Sequence, residues 1–397
     1  ADRHPQVAGL VHRHHRRLMR AVVLTGVNRL ELRDVPSPAP NAHEVRVRVA
    51  AVGLCGTDLH IVAGHANYNR DANGRVIPFA EEPQILGHEV AGVVEDIGRD
   101  VTDLRAGDRV IIDQGRNCVS ERRSPLCEFC TTGDSHQCEQ YREHGITGLP
   151  GGFAEYVTVP AVNAVRVESS VDAAETALVE PLACVVHSTD LLTRADARYT
   201  LASADGQAVR TAIVCGAGPS GLLFVQYLRR VLRFDGLLLV LEPNAKRRAL
   251  AERFGAETVD PRAVDAADVV RERTHGRGAE LVIEASGAGP ALADLPRLIR
   301  KQATVLLYGH GHDGVDASVL NLLQFMEPRL VSPAGASGGF EPDGRPTVYV
   351  SALDLIEAGR IEVAPLITHR YRSLDAVPGA FAGDHRSPEY VKGVVLP

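Results

Sequence analysis

The 397-residue chain has no tryptophan and only two methionines, and aromatic side chains make up just 5% of it. Nowhere does an apolar run approach the roughly 20 residues that a membrane-spanning helix needs. The amino-terminal region also lacks the apolar centre of a secretory signal, so a soluble, cytoplasmic protein is expected. Cysteine is scarce: seven residues, an odd number and a low fraction, exclude a small disulfide scaffold. Basic side chains (43) are outnumbered by acidic ones (50), and the net charge of −7 argues against nucleic acid or an anionic membrane as the main partner. The length suggests two domains, each able to bury its own core.

Residues 1–20 stand apart, with five arginines and four histidines. A disordered extension over 1–18, ahead of a natural start at Met19, is expected there; a metal- or anion-binding tail is the alternative. Beyond it, 20–24 and 30–35 read as paired short strands around the turn residues Gly26 and Asn28. Val45-Arg46-Val47-Arg48-Val49 alternates strictly and so presents one buried and one wet face. With 90–97 and 109–112, these segments predict a β-rich, barrel-like first domain.

After about residue 183 the texture changes. Residues 212–215, 237–241, 281–284 and 305–308 are short continuous apolar runs, as parallel strands buried on both faces require. Helical stretches near 221–230 and 245–254 lie between them, and the alternation predicts a doubly wound α/β domain. The last sixty or so residues, with a helix near 348–357 and strand-like ends at 366–368 and 391–396, are expected to return to the first domain.

Gly216-Ala217-Gly218-Pro219-Ser220-Gly221 follows one of these apolar strands and opens a helix. Glycines at this spacing allow a tight turn, close approach of backbone to a pyrophosphate, and close packing of helix on strand. Glu242 ends the next strand, where a carboxylate accepts both hydroxyls of an adenosine ribose and repels a 2′-phosphate. NAD is therefore expected ahead of NADP, although Lys246 and Arg247 lie close by in sequence.

Cys118, Cys127, Cys130 and Cys138 fall within 21 residues of a polar, turn-rich segment. Four thiolates so close in an intracellular chain fit a closed tetrahedral zinc site that ties down a loop of little apolar content. Two disulfides, or unlinked core thiols, are the alternatives. A second set is scattered: Cys55, His88, Glu89 and Glu180. One thiolate, one imidazole and one or two carboxylates leave a zinc with an exchangeable position, but spacing alone equally allows a structural Cys55 and a capping Glu180.

Residues 53–60, Gly87-His88-Glu89, the cysteine lobe, Gly152-Phe153-Ala154-Glu155-Tyr156-Val157 and the glycine fingerprint occur in an order that resembles the zinc-dependent medium-chain dehydrogenases, on their polyol and threonine dehydrogenase branch. The resemblance runs from Met19 to Pro397. It implies a GroES-like catalytic domain from 19–183 and 339–397, carrying a zinc lobe near 113–140, and a Rossmann coenzyme domain over 184–338. It implies that Cys55 and His88 hold a catalytic zinc, with Glu89 and Glu180 binding it directly, through water or in exchange. The four-cysteine lobe would hold a structural zinc, making two per chain. Thr57 and His60 stand where the family keeps its proton relay.

Glu180 replaces the third-ligand cysteine of alcohol dehydrogenases, which points to a small hydroxylated substrate: a polyol, cyclitol, sugar or amino alcohol, oxidised with NAD. An NADP-preferring sugar dehydrogenase, a threonine 3-dehydrogenase and a non-catalytic nucleotide sensor are the alternatives. The resemblance also implies a homodimer or homotetramer. Three features depart from the family pattern: a longer polar stretch at 64–74, readable as a lid or a plain surface loop; the eight residues between Cys118 and Cys127; and a polar insertion near 193–207.

Overall fold

A computed structural model describes residues 17–201, 203 and 206–397. Of the expected extension, residues 1–16 lie outside the described residues. Leu18 already pairs with Pro36 across the hairpin Leu18–Gly26 and Arg29–Pro36, so pairing starts one residue before Met19.

The alternating strand Glu44–Gly53 is the hub of the first part. It buries Val45, Val47 and Val49 and leaves Arg48 outside, as its sequence requires. It pairs antiparallel with Glu89–Ile97, with Tyr156–Pro160 along its first half, and with Lys392–Val395 at its last two residues. Strands Arg109–Ile112, Ala164–Arg166 and Ile367–Tyr371 complete a seven-stranded sheet, six strands in one path with Tyr156–Pro160 as a branch. Segments from 44–166 and from 367–395 thus build one sheet, while the first hairpin forms a two-stranded sheet of its own.

The second part is a six-stranded, all-parallel sheet in the order Glu257–Val259, Leu237–Leu241, Thr211–Cys215, Ala279–Glu284, Ile299–Leu307, Arg329–Val331. Its central strands are buried throughout, which explains their unbroken apolar runs. The strand order reverses beside Thr211–Cys215, and the crevice at its carboxyl end is where such sheets take ligands. The helix Val179–Arg194 links the two parts and packs on the helix Thr347–Glu357. Among the described residues no helix is long and apolar enough to cross a membrane.

Candidate active site

The short helix Gly56–Val62 starts at Cys55, whose backbone N–H donates to Asp58 Oδ2 at 3.1 Å. Asp58 Oδ1 accepts from the Gly87 N–H at 3.2 Å and stands 3.4 Å from His88 Nδ1. One fully buried carboxylate therefore fixes both the thiol segment and the imidazole segment. Glu89, at the start of its strand, lies directly over Gly53: a β-carbon there would sit 1.7 Å from Glu89 Oε2, so only glycine leaves the carboxylate room. The outcome is a trio, Cys55, His88 and Glu89, whose ligand atoms all lie within 4.8 Å of one another.

The charges in this pocket fit a cation. Glu89 Oε1 meets Lys392 Nζ at 2.5 Å, whereas Glu89 Oε2 is buried without a hydrogen-bond partner. Burial opposes a proton on His88, yet Asp58 and Cys55 beside it hold its pKa well above the usual value. Glu180 lies next to the trio but outside the mutually close set. It is held by Gln114 Nε2 at 3.1 Å and by the Cys184 thiol at 3.5 Å, and Gln114 is itself bonded to the Tyr349 hydroxyl. Burial pushes the Glu180 carboxyl up to about 7, with His88 opposing and Glu89 adding to the rise. A thiol, an imidazole and a carboxylate oxygen with no other partner are the donor set of an open zinc site.

Thr57 and His60 lie three residues apart on the helix Gly56–Val62, hence on one side of it, and both are half-buried. Desolvation, with His65 and His310 nearby, lowers the His60 pKa below its usual 6.5. Gly311 approaches the His60 ring, so the loop after the strand Ile299–Leu307 borders the relay.

The fingerprint turn has the three glycine roles in place. Gly216 has φ +92°, and a β-carbon on it would strike Ser286; one on Gly221 would come 2.1 Å from Gly216 O; one on Gly218 would meet nothing within 4 Å. Pro219 opens the helix Pro219–Gln226, and the Ser220 hydroxyl reaches the Tyr308 hydroxyl at 3.3 Å. Open space in front of Gly218 at a helix amino terminus suits a pyrophosphate. The two oxygens of Glu242 accept the backbone N–H groups of Ala217 (2.7 Å) and Asn244 (2.8 Å), so this side chain braces the turn 216–221. Glu284 does likewise for the facing loop, accepting from the Ser286 N–H at 2.9 Å and pairing with His312 at 2.6 Å.

The sulfurs of Cys118, Cys127, Cys130 and Cys138 lie within 4.8 Å of one another, and all four cysteines are free. Cys118 and Cys138 stand 3.7 Å apart, close to the edge of about 3.8 Å of a tetrahedron with zinc–sulfur bonds of about 2.3 Å. Backbone N–H groups of Cys130 and Glu139 lower the Cys127 pKa to about 6. The eight intervening residues after Cys118 fold back on Asn117, whose Oδ1 accepts from Val119 and Ser120, so the long gap does not displace the thiol. In the polar stretch 64–74, Asn67 bonds Ile77 O at 2.8 Å and Asn69 bonds Glu82 at 2.6 Å. Those donors are used on the residues that follow the stretch, at 77 and 82, and Tyr68 stays 43% exposed.

Asp58, Lys392, Gln114, Tyr349 and Glu284 were not singled out from sequence. Asp58 and Glu284 sat inside motifs already quoted, while the other three are remote in the chain.

The alcohol dehydrogenase GroES-like domain model matches residues 41–169, and the zinc-binding dehydrogenase model matches 219–356. L-threonine 3-dehydrogenase of Thermococcus kodakarensis is 32% identical over 349 residues, covering 88% of this chain and 89% of its own. The 2-dehydro-3-deoxy-L-galactonate 5-dehydrogenase of Pseudoalteromonas atlantica is 31% identical, with 90% and 92% covered. A zinc-binding dehydrogenase from Sinorhizobium meliloti, solved with NADP bound, superposes with a TM-score of 0.76 at 30% identity over 96% of this chain and 100% of that one. With matching models in both halves and relatives along most of its length, the chain belongs to the zinc-dependent medium-chain dehydrogenases, oxidoreductases of CH–OH groups that use zinc and a nicotinamide coenzyme.

Proposed function

We propose that the chain oxidises a secondary alcohol of a polyol, cyclitol, sugar or amino alcohol with NAD, or runs the reverse reduction. Residues 19–183 and 339–397 act as the catalytic part, and 184–338 as the coenzyme part. The carrying observation is the trio Cys55, His88 and Glu89 with Glu180 beside it: one thiolate and two carboxylates in place of two thiolates. Such an oxygen-rich site suits a substrate with several hydroxyls, and relatives named for threonine, sorbitol and a sugar acid support that class.

Zinc supplies a Lewis-acidic centre that acidifies a substrate hydroxyl, and a nicotinamide ring supplies the hydride acceptor. Cys55, His88 and Glu89 would hold the metal, with Asp58 placing the first two and Lys392 the third. Gln114 and Tyr349 aim Glu180. Thr57 takes the hydroxyl proton, and His60, whose lowered pKa keeps it a neutral acceptor, passes it toward solvent. The turn 216–221 binds the coenzyme phosphates and Glu242 the adenosine ribose. Cys118, Cys127, Cys130 and Cys138 hold the structural zinc. These intact groups count against a nucleotide sensor.

A second reading, an NADP-preferring enzyme, is favoured by the NADP-bound relative. Exposed Leu320, Leu322, Phe325 and Leu330, on and beside the sheet's edge strand Arg329–Val331, support self-association as a homodimer or homotetramer. The test is a panel of polyols, cyclitols, sugars, aldonates and amino alcohols assayed with NAD and NADP. Turnover of one class with NAD is expected; no turnover on any class would refute the reading.

A further inference from the structure

At the amino ends of the strands Ala279–Glu284 and Ile299–Leu307, opposite the coenzyme crevice, lies a cavity of about 820 Å³. Its walls carry six cations, Arg198, Arg271, Arg277, Arg297, Arg300 and Lys301, against one carboxylate, Glu327. In a chain of net charge −7 this is a local reversal of sign.

Two of the six have a local explanation. Arg271 and Arg297 sit in the last turns of the helices Ala266–Arg273 and Gly289–Leu298, where a cation complements the helix dipole. They are paired with Asp268 at 2.6 Å and Asp265 at 2.5 Å. The other four lack such a reason. Arg277 and Arg300 share the single carboxylate of buried Glu280, at 3.3 and 3.2 Å. That carboxylate also accepts the Arg210 and Thr211 N–H groups at 3.2 and 3.0 Å. Among the described residues Arg198 donates only to the neutral Gln302 amide oxygen, at 3.0 Å, and Lys301 has no ion-pair partner.

The backbone is shaped to keep these groups there. Register between the two strands shifts after Ala279, from Ile299 to Thr304 as successive partners, so Arg300, Lys301 and Gln302 bulge from the ladder toward the cavity. Gln302 and Glu327, bonded to each other at 3.1 Å, both have positive φ, 61° and 47°. That conformation is strained for residues with a β-carbon. The Arg198 and Arg300 guanidiniums lie 5.7 and 5.2 Å from the Tyr199 ring centroid, which fixes their positions without neutralising them. Like charges gathered in this way repel, so the cluster is paid for elsewhere in the fold unless an anion enters.

We propose that this cavity is a second ligand site, distinct from the zinc and coenzyme positions, which binds a small phosphorylated metabolite through Arg198, Arg277, Arg300 and Lys301. Guanidinium forks and an ammonium are the groups that take phosphate oxygens. The cavity volume is that of a small-molecule site.

Pyrophosphate is the probe, titrated calorimetrically into zinc-loaded protein at constant ionic strength, with saturating NAD to fill the coenzyme's own phosphate turn. Saturable binding of one pyrophosphate per chain is expected, with a melting midpoint raised by about 3 °C at a hundred times Kd. The exposed pair Arg198→Ala with Lys301→Ala should weaken binding at least about tenfold, with turnover and zinc content unchanged and the unliganded midpoint not lowered. Lys301→Arg should retain binding. No saturable binding, equal binding by the double variant, or an altered oligomeric state with unaltered pyrophosphate affinity would overturn the proposal.

Discussion

Lys392 Nζ stands 2.5 Å from Glu89 Oε1, both side chains buried, although the two lie 303 positions apart in the chain. The ammonium binds one carboxylate oxygen and leaves the other facing Cys55 and His88. Lys392→Met should leave that carboxylate uncompensated and lower stability by about 3–5 kcal/mol in denaturant unfolding. Adding Glu89→Gln should recover part of the loss, because the pair is coupled. Strictly additive losses would show that the two do not act together.

Metal analysis should find two zinc ions per chain. Cys55→Ser should remove one of them together with turnover, leaving the fold intact. Cys127→Ser should remove the other and lower the melting midpoint, because the lobe has little apolar content of its own. A Cys55→Ser protein with two zincs and full turnover would end the catalytic assignment.

Gly218 and Gly221 should respond oppositely to alanine. A methyl on Gly221 runs into Gly216 O, so Gly221→Ala should destabilise the coenzyme part, by about 1–3 kcal/mol on the scale of overpacking. Gly218→Ala has room in the free protein and should melt normally while binding NAD more weakly. Equal melting losses in the two variants would contradict this division of roles.

Glu242→Ala should shift the NAD to NADP affinity ratio by about tenfold towards NADP, the scale of a charged hydrogen bond. Because Glu242 also holds the Ala217 N–H, affinity for both coenzymes should fall. Fluorescence titration of the reduced coenzymes reads both effects, and an unchanged ratio would remove Glu242 from the ribose site.

His60 has a pKa lowered by burial and by its histidine neighbours, so its proton-accepting form persists below the usual 6.5 and is lost only at still lower pH. The acid limb of alcohol oxidation that belongs to His60 should therefore lie below pH 6.5. His60→Gln should reduce turnover by about a hundredfold and remove that acid limb. A pH profile identical in the two proteins would exclude His60 from the relay.

What could be read from the sequence was what lies close together along it. The glycine fingerprint, the four-cysteine lobe, the alternating strand through Val47 and the apolar runs of the parallel sheet each occupy one short window. Groups that meet only in three dimensions were hidden. Lys392 reads as one basic residue in a terminal strand, and the link from Tyr349 to Gln114 spans 235 residues. Glu242 was seen as a coenzyme contact but not as a brace, since nothing in its segment points back to Ala217. The strands Glu257–Val259 and Arg329–Val331 have three residues each, and the second exposes Leu330, so neither carries a buried apolar run. The basic cavity draws cations from five separate stretches, so it leaves no charge block in the sequence.

The pairing of Lys392–Val395 with Glu44–Gly53 sets a timetable for maturation. During synthesis the cysteine lobe can close once residue 138 has emerged, since its ligands span 20 positions. The Cys55, His88 and Glu89 pocket lacks the ammonium that holds its carboxylate until residue 392 has left the ribosome. The structural site therefore has all its ligands on the growing chain well before the catalytic pocket acquires Lys392.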